Sequence, residues 1–386
     1  MTAKKKRVAV LFGGRSAEHE ISILSARFVV ESLDRERFEP VLIGIDKSGR
    51  WLAQEETALL GQARDPRLVR LNEAGARVKL EPSSMRPSST DAAIVADTLP
   101  HGVLEIAGSS PLDVDVVFPV LHGPMGEDGT VQGLLTLANV AFVGSGVLGS
   151  AVGMDKDVMK RLLRDAGLPI VPYLCVSAAR FARARGQVVA EALRLGAGSP
   201  LFVKPANLGS SVGVSKASSG PEIEAAIDLA FGFDQKIVIE VGVAGLRELE
   251  CAVLGNDEPI ASRVGEVVVD HPDGFYSYAA KYVDETGATT LIPARLSTDE
   301  ESEIQRLAIA TFRTLECAGL ARVDFFRGGD GAIFINEVNT LPGFTAISMY
   351  PKLFEASGIS GKELVSRLVD LALERARERA KLKTSY

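Results

Sequence analysis

Short apolar runs alternate with helical patterns through residues 1–150 of this 386-residue chain, and this alternation restricts the fold more than any other feature. The run RVAVLF predicts a buried strand, residues 16–33 have the spacing of an amphipathic helix, and EPVLIGID predicts a second strand. The pattern returns as VDVVFPVLHG, a helix pattern over EDGTVQGLLTLA, and the short run VAFVG. Strands that alternate with helices indicate parallel βαβ units, so we expect an open parallel α/β sheet in residues 1–150.

Two further units follow, as the length of the chain allows. Residues 151–241 begin with a helix pattern in MDKDVMKRLLRDAGLP and continue with strands around a Gly/Ser-rich turn. Residues 242–386 are richer in strand patterns and carry two strong helix patterns, at 299–318 and 360–381. Ser297 and Glu300 offer a capping box for the first of these helices.

Composition and charge exclude several classes of protein. A net charge of −7 provides no basic field for nucleic acid or a membrane surface. No apolar stretch approaches the ~20 residues of a membrane span, and the N-terminal run Val8–Phe12 is too short for a signal peptide. Cys175, Cys251 and Cys317 are far apart in sequence, which is typical of small buried residues in a reducing compartment. We therefore expect a cytoplasmic protein without a nucleic-acid or membrane partner.

Two strand patterns near the C-terminus carry oxygen-bearing side chains at alternate positions. They are ARVDFF, which contains Asp324, and GAIFINEVN, which contains Glu337 and Asn339. If the two strands pair as a hairpin, these side chains converge on one face, because residues i and i+2 of a strand point the same way. Two carboxylates and an amide oxygen suit Mg²⁺. The alternative is a solvated strand face with polar residues at alternate positions.

A second group of residues offers positive charge and main-chain N–H groups. Lys204 stands at a strand end before the loop NLGSSVG, whose amides and serines could fold over phosphate oxygens. The loop joins two strands, so it is not the P-loop pattern. Taken alone, it is equally consistent with a plain hairpin turn, Lys156 with a surface lysine, and Glu240 and Glu248 with solvated glutamates.

Set in chain order, these pieces resemble the ATP-grasp superfamily and, within it, the D-alanine–D-alanine ligases. Seven segments carry the resemblance: LFGGRSAEHEIS (11–22), LHGPMGEDGTVQG (121–133), GSGVLGSAVGMDK (144–156), VKPANLGSSVGVSK (203–216), YSYAAKY (276–282), ARVDFF (321–326) and INEVNTLPGFTAISMYP (335–351). The resemblance implies an α/β protein of the ATP-grasp fold, in which an N-terminal α/β domain precedes two α+β subdomains that enclose a nucleotide. The implied boundaries are 1–150, 151–241 and 242–386, with a substrate lid at 265–284.

The activity that this resemblance implies is ATP-dependent ligation of two D-alanine molecules for peptidoglycan synthesis. The γ-phosphoryl group of ATP passes to the carboxylate of the first D-alanine, and the amine of the second attacks the acyl phosphate. Tyr282 in the lid favours D-alanine as the second substrate. D-lactate or D-serine in that place, or another ATP-grasp carboxylate–amine ligation, is the alternative. The resemblance also implies a homodimer formed through the N-terminal unit.

The resemblance further assigns residues to ATP and to metal. Asp324, Glu337 and Asn339 would hold two Mg²⁺ or Mn²⁺ ions. ATP would be bound by Lys156, Lys204, Ser210, Ser211, Glu240, Val243, Glu248 and Phe326. The chain has Val241 where the family often has lysine, and its loop before Glu248 is one residue longer than usual. We therefore expect Glu248, and not Glu250, to bind the ribose.

For the amino acids, the resemblance implies a link from Glu18 through Ser210 to Tyr282, which would hold the ammonium group of the first D-alanine. His122 would lie near the same substrate. Arg322 and the main-chain N–H of Gly343 would stabilise the oxyanion of the tetrahedral intermediate. The second carboxylate would be bound by Lys281, Ser348 and the main chain of Met349.

Overall fold

The structure is a computed structural model that describes residues 4–61, 65–81, 102–107, 112–269 and 288–383. Within these ranges the strands form three larger sheets and one small sheet. Lys281, Tyr282 and residues 270–284 of the expected lid lie outside the described residues. No helix in the described ranges combines the length and the apolar character needed to cross a bilayer.

The N-terminal unit is built around a five-stranded sheet. Its elements are β1 (Lys6–Gly13), α1 (His19–Ser32), β2 (Phe38–Ile45), β3 (Trp51–Gln54), α2 (Glu56–Leu60), a 3-10 turn (Pro66–Leu68), β4 (Val78–Glu81), β5 (Gly102–Ile106), β6 (Leu112–Val114), β7 (Val116–Val120), α3 (Thr130–Leu137), β8 (Ala141–Phe142) and α4 (Val147–Met154). The strand order is β3-β2-β1-β7-β8, and β4, β5 and β6 form a separate antiparallel sheet.

Four strands of the large sheet are parallel, as the alternating pattern predicts, but the edge strand β3 runs antiparallel to β2. The connection between them covers only residues 46–50, which is too short for a parallel crossover. The expected all-parallel sheet is therefore a mixed one.

The central unit has a four-stranded antiparallel sheet with the order β11-β10-β12-β9. Its elements are α5 (Lys156–Asp165), β9 (Tyr173–Ser177), α6 (Ala178–Arg183), α7 (Arg185–Gly196), β10 (Leu201–Pro205), β11 (Ser215–Ala217), α8 (Gly220–Phe231) and β12 (Lys236–Val241). Asp155 caps α5 by accepting from the N–H groups of Asp157 and Val158. This cap fixes the start of the helix, and with it the position of Lys156.

The third unit has a five-stranded antiparallel sheet with the order β15-β14-β13-β16-β17. Its elements are β13 (Arg247–Gly255), β14 (Ile260–Val269), β15 (Ala288–Leu291), α9 (Thr298–Thr314), β16 (Gly319–Arg327), β17 (Ile333–Asn339), α10 (Met349–Ala356) and α11 (Gly361–Ala380). The predicted capping box of Ser297 and Glu300 is present at the start of α9. Cys251 and Cys317 are buried as expected, whereas Cys175 is only partly buried.

The last two helices return to the N-terminal sheet. Leu364 and Leu368 of α11 and Tyr350 of α10 belong to the same apolar cluster as Val10 and Phe12 of β1. Each expected domain range contains one of the larger sheets, and the boundaries at 150 and 241 stay a prediction. Because α10 and α11 share the core of the first sheet, the N-terminal unit is fixed against the third unit, and the loop after β17 is held over the ends of β1 and β7.

Candidate active site

A cleft lies between the sheets of the central and third units. It is lined by charged and apolar side chains from both sheets, including Lys156, Lys204, Ser211, Glu240, Val243, Glu248, Glu250, Arg322, Asp324, Phe326 and Glu337. Most of the residues that the sequence assigns to ATP therefore meet at one place, although Lys156 and Phe326 are 170 residues apart in the chain.

The acidic side of the cleft is the hairpin of β16 and β17, whose pairing the sequence predicts correctly. Arg322 lies opposite Asn339, and Asp324 lies opposite Glu337. Arg322 donates from Nε and Nη2 to the two carboxylate oxygens of Asp324, at 2.6 and 2.7 Å. The amide nitrogen of Asn339 donates to Oδ2 of Asp324 at 3.0 Å, so its carbonyl oxygen is the atom that can meet a cation. The alternative of a merely solvated strand face is wrong, because Asp324 is only 9% exposed.

These residues fit a hard divalent cation. Asp324, Glu337 and Asn339 offer only oxygen donors and lie together on the hairpin, which is the chemistry that Mg²⁺ prefers. Within the described ranges, no group of three or more His, Cys, Asp or Glu side chains could hold a metal by itself. The amide oxygen of Asn339 and oxygens from a bound phosphate are therefore needed to complete such a site.

The basic side of the cleft is formed by lysines that are buried, not surface residues. Lys204 donates to Oε2 of Glu240 at 2.7 Å and to Oδ1 of Asn336 at 3.2 Å. Lys156 donates to the carbonyl of Leu208 at 2.6 Å, and its Nζ lies 3.4 Å from Oε2 of Glu337. The Lys156–Glu337 contact joins the basic and acidic sides.

Electrostatics favours the charged forms of Glu240 and Lys204. Burial acts to raise the pKa of Glu240, but the ammonium groups of Lys160 and Lys204 outweigh it and lower that pKa to about 2. Burial likewise acts to lower the pKa of Lys204, but the Glu240 carboxylate outweighs it, and the pKa is raised. Glu240 is thus a buried carboxylate shared by two lysines, and not the exposed glutamate that the sequence alone allows.

Sequence reasoning missed two residues of this cluster, Lys160 and Asn336, and it considered Glu250 only as an alternative to Glu248 for the ribose. The spacing gave a signal for Lys160, because it follows Lys156 by four residues and so lies on the same face of α5. That face also buries Met159 and Leu163. No comparable spacing indicates a role for Asn336, which precedes Glu337 and so lies at the other alternate position of the strand.

The register between β13 and β16 decides which glutamate lies at which end of the cleft. Glu248 lies opposite Phe326, and Glu250 lies opposite Asp324. Nε of Arg322 contacts Oε2 of Glu250 at 2.9 Å, so Glu250 belongs to the acidic side. Glu248 is two residues further toward Val243. Glu248 is thus placed apart from the acidic side, and its assignment to a ribose stays a prediction.

The loop between β10 and β11 joins the N-terminal unit to the cleft. The hydroxyl of Ser210 donates to Oε1 of Glu18 at 2.8 Å, which is the first half of the link expected from the sequence. Ser210 and Ser211 have φ of 54° and 57°, in the left-handed region that non-glycine residues seldom occupy. Strained backbone of this kind collects at ligand-binding loops.

His122 lies at the end of β7, buried among residues that the sequence did not single out. Its Nδ1 is 3.2 Å from the carbonyl of Leu341 and 3.5 Å from Oε1 of Glu127, and its Nε2 is 3.3 Å from Oγ of Ser25. Burial acts to lower the pKa of His122, but Glu127 and Glu18 outweigh it and raise the pKa. An imidazolium at this point would neutralise part of the charge of the two glutamates.

The loop after β17 is the second meeting point of the units. The N–H of Phe344 donates to Oγ of Ser25 at 3.2 Å, so α1 holds the residue next to Gly343. A Cβ atom added at Gly343 would lie 3.0 Å from Oγ of Ser348. Ser348 immediately precedes α10, whose first residue is Met349, and helix N-termini favour carboxylates.

Comparison with known proteins agrees with this arrangement. The D-ala D-ala ligase N-terminus family matches residues 7–145, and the D-ala D-ala ligase C-terminus family matches residues 162–370. The D-alanine–D-alanine ligase of Shouchella clausii is 50% identical over 382 residues, which cover 99% of this chain and 98% of that protein. The curated D-alanine–D-alanine ligase A of Escherichia coli strain K12 is 47% identical over 383 residues, covering 99% of this chain and all of that protein.

Solved structures agree as well. The VanG D-Ala:D-Ser ligase of Enterococcus faecalis has a TM-score of 0.77 at 33% identity and covers 96% of this chain and 100% of its own. The D-alanine–D-alanine ligase of Coxiella burnetii has a TM-score of 0.81 at 35% identity and covers 98% of this chain and 97% of its own. With both family matches covering its described units, the chain belongs to the D-alanine–D-alanine ligase family.

Proposed function

We propose that the protein joins two D-alanine molecules into D-alanyl-D-alanine at the expense of ATP, which becomes ADP and phosphate, for cell-wall synthesis. One observation carries the proposal most directly: buried lysines and an acidic hairpin meet in one cleft, where Lys156 and Glu337 are 3.4 Å apart. Phosphoryl transfer depends on charge neutralisation and placement, and this pairing of charges provides both.

At the nucleotide end, the chain supplies fixed positive charge. Lys156 and Lys204 bind the α- and β-phosphates, and the loop with Ser210 and Ser211 covers them. Glu248 accepts from the ribose, and Val243 and Phe326 pack near adenine, with Glu240 beside them. Asp324, Glu337 and Asn339 hold two Mg²⁺ or Mn²⁺ ions, which neutralise phosphate charge when they are bound.

At the amino-acid end, Glu18 binds the ammonium group of the first D-alanine, and Ser210 keeps Glu18 in place. His122 lies beside the same substrate. The carboxylate of this D-alanine attacks the γ-phosphate and displaces ADP. The deprotonated amine of the second D-alanine attacks the resulting acyl phosphate, and phosphate leaves from the tetrahedral intermediate as the amide forms. Arg322 and the N–H of Gly343 stabilise the negative charge that develops on the carbonyl oxygen.

The second substrate is bound by its carboxylate at Ser348, at the N–H of Met349 and by Lys281. Tyr282 completes the link with Glu18 and Ser210, and the lid of residues 265–284 excludes water from the acyl phosphate. A D-serine or D-lactate ligase is the second candidate, because one structural relative is a D-Ala:D-Ser ligase at 33% identity.

We further propose that the enzyme is a cytoplasmic homodimer. Four apolar side chains are exposed on the N-terminal unit, on the neighbouring helices α3 and α4: Leu134, Leu137, Val147 and Leu148. Leu137 is 82% exposed, and a cluster of such residues is typical of a protein interface. Sedimentation velocity should show twice the chain mass, and Leu137→Glu should yield the monomer. A wild-type monomer at micromolar concentration would refute this part.

The activity is tested by coupling ADP release to identification of the product. With ATP, Mg²⁺ and D-alanine alone, we expect D-alanyl-D-alanine and one ADP per product. L-alanine serves as the control and should give no ADP. Absence of D-alanine-dependent ADP release would overturn the proposal. Offering D-alanine with D-serine or D-lactate tests the alternative, which a dominant mixed product would establish.

A further inference from the structure

Lys160 is the most deeply buried charge beside the cleft, and the roles described so far do not use it. Its side chain is 0% exposed, on the inner face of α5. Nζ lies 3.0 Å from Oε1 of Glu240, 3.5 Å from the carbonyl of Asn336 and 5.9 Å from the ring centre of Tyr173. Enclosed in this way, Lys160 acts on a bound nucleotide only through another residue.

Glu240 is the residue through which Lys160 acts. Its Oε1 faces Lys160 and its Oε2 accepts from Lys204 at 2.7 Å, so the two oxygens of one carboxylate meet two different lysines. The contact with Lys160 is an ion pair without hydrogen-bond geometry, so Lys160 holds the carboxylate by charge and Lys204 holds it by a hydrogen bond. Lys204 has a further hydrogen bond to Asn336 at 3.2 Å. With two of its three N–H groups engaged, Lys204 has one left to direct into the cleft.

Charge balance gives a second reason for Lys160. If Glu240 paired with Lys204 alone, the pair would be neutral and would offer little attraction to a polyphosphate. When Lys160 is protonated, two ammonium groups share one carboxylate, and the three groups carry a net charge of +1. Burial lowers the pKa of Lys160, and the Glu240 carboxylate is the group that opposes this by favouring the ammonium form. A buried ammonium group is costly, and an apolar side chain could fill the same space without that cost. The presence of Lys160 is explained if the surplus positive charge attracts an anionic ligand.

We propose that Lys160 is a positioning residue of the nucleotide site, which fixes Glu240 and thereby orients the ammonium group of Lys204 toward the phosphates. This inference rests on the proposed ATP-dependent function. It assigns Lys160 no contact with ATP and no part in the chemistry of the amino acids.

The test compares Lys160→Met with Arg161→Met, an exposed residue of the same helix. Calorimetric titration with ADP, without metal or D-alanine, measures nucleotide binding apart from turnover. We expect the Kd for ADP and the KM for ATP to rise about tenfold in Lys160→Met, while the KM for D-alanine stays within twofold. Arg161→Met should leave all three within twofold. A melting temperature that falls while ADP binding and the KM for ATP are unchanged would overturn the proposal and leave Lys160 a structural residue.

A double-mutant cycle tests the route through Glu240. In a Glu240→Gln background, Lys160→Met should change ADP binding less than twofold, because the shared carboxylate is already gone. An undiminished tenfold effect in that background would show that Lys160 acts by another path. Lys160→Gln replaces the methionine variant if the latter does not fold, and Lys160→Arg, which keeps the charge, should restore most of the affinity.

Failure of this inference and failure of the proposed function are distinguishable. If wild-type protein releases no ADP in the presence of D-alanine but Lys160→Met still weakens ADP binding, the ligase proposal fails and the positioning role stands. If the wild type is an active ligase and both variants bind ADP equally, only the positioning role fails.

Discussion

The nucleotide end and the amino-acid end of the cleft are held together by different means. At the nucleotide end, the charged groups stand on strands and a helix, and buried ion pairs connect them, as in the contacts of Glu240 with Lys160 and Lys204. At the amino-acid end, hydrogen bonds join loops of the central and third units to α1 and its N-terminus, as in Ser210 with Glu18 and Phe344 with Ser25.

This difference indicates which end is already formed without ligands. Buried charges with several partners are strongly constrained, because losing one partner leaves an uncompensated charge. A single hydrogen bond between units contributes only about 0.5–3 kcal/mol, and it breaks when the units move apart. We therefore expect changes at the nucleotide end to act on ATP binding and phosphoryl transfer, and changes at the amino-acid end to act on D-alanine.

The largest effect is expected from Glu337→Gln, which removes a carboxylate from the acidic hairpin and keeps the size of the side chain. The loss of charge at the phosphoryl group should lower kcat by about 10³-fold or more, comparable to removing a strong electrostatic contact. Since the Glu337 side chain is 24% exposed at the cleft and glutamine keeps its size, the free energy of unfolding should change by no more than about 1 kcal/mol. Steady-state kinetics and urea denaturation measure the two quantities.

The control for this variant is Glu303→Gln on the surface of α9, whose partner is the exposed Arg306. It should leave kcat within twofold. Turnover of Glu337→Gln close to the wild-type rate would show that the metal assignment is wrong.

The next effect is expected from Ser210→Ala, which breaks the link between the central and N-terminal units. Glu18 loses the hydrogen bond at 2.8 Å, and a hydrogen bond to a charged group is worth roughly 1.5–3 kcal/mol. The KM for the first D-alanine should rise about tenfold or more. The Kd for ADP should rise less, by up to about threefold, because Ser211 and the main chain of the same loop still cover the phosphates. Ser199→Ala, at an exposed position, is the control. An equal loss for both ligands would contradict the division between the two ends.

The sequence predicts the nucleotide end better than the amino-acid end, for a physical reason. The side chains of a strand alternate, so the spacing of Asp324, Glu337 and Asn339 already places them on one face once the strands pair. The pairing itself follows from two short apolar runs around a Gly-rich turn. By contrast, Ser25 and Glu127 reach the site only through the packing of α1 and of the loop after β7, which no local pattern records.

Lys160 and β3 show two further limits of prediction from sequence. The spacing of Lys160 indicates a shared helix face with Lys156, but only the tertiary packing shows that this face is buried against Glu240. The sequence analysis predicts no strand at β3, and the antiparallel direction of this edge strand follows from the short turn after β2. The roles assigned to the site residues stay predictions, since they rest on the family resemblance.

The smallest effect is expected on lowering the pH, which tests whether buried charge fixes the nucleotide end. The pKa of Glu240 lies at about 2, below its ordinary value of 4.5, because Lys160 and Lys204 outweigh burial. Its contribution to stability is therefore complete well above pH 4.5 and declines as the pH falls toward 2. Between pH 7 and pH 4 the linkage relation gives a loss of about 1 kcal/mol from this group. Urea denaturation measures the difference in unfolding free energy between wild type and Glu240→Gln, and this difference should shrink by that amount. If the difference stays constant down to pH 4, Glu240 is not held as a carboxylate by the two lysines.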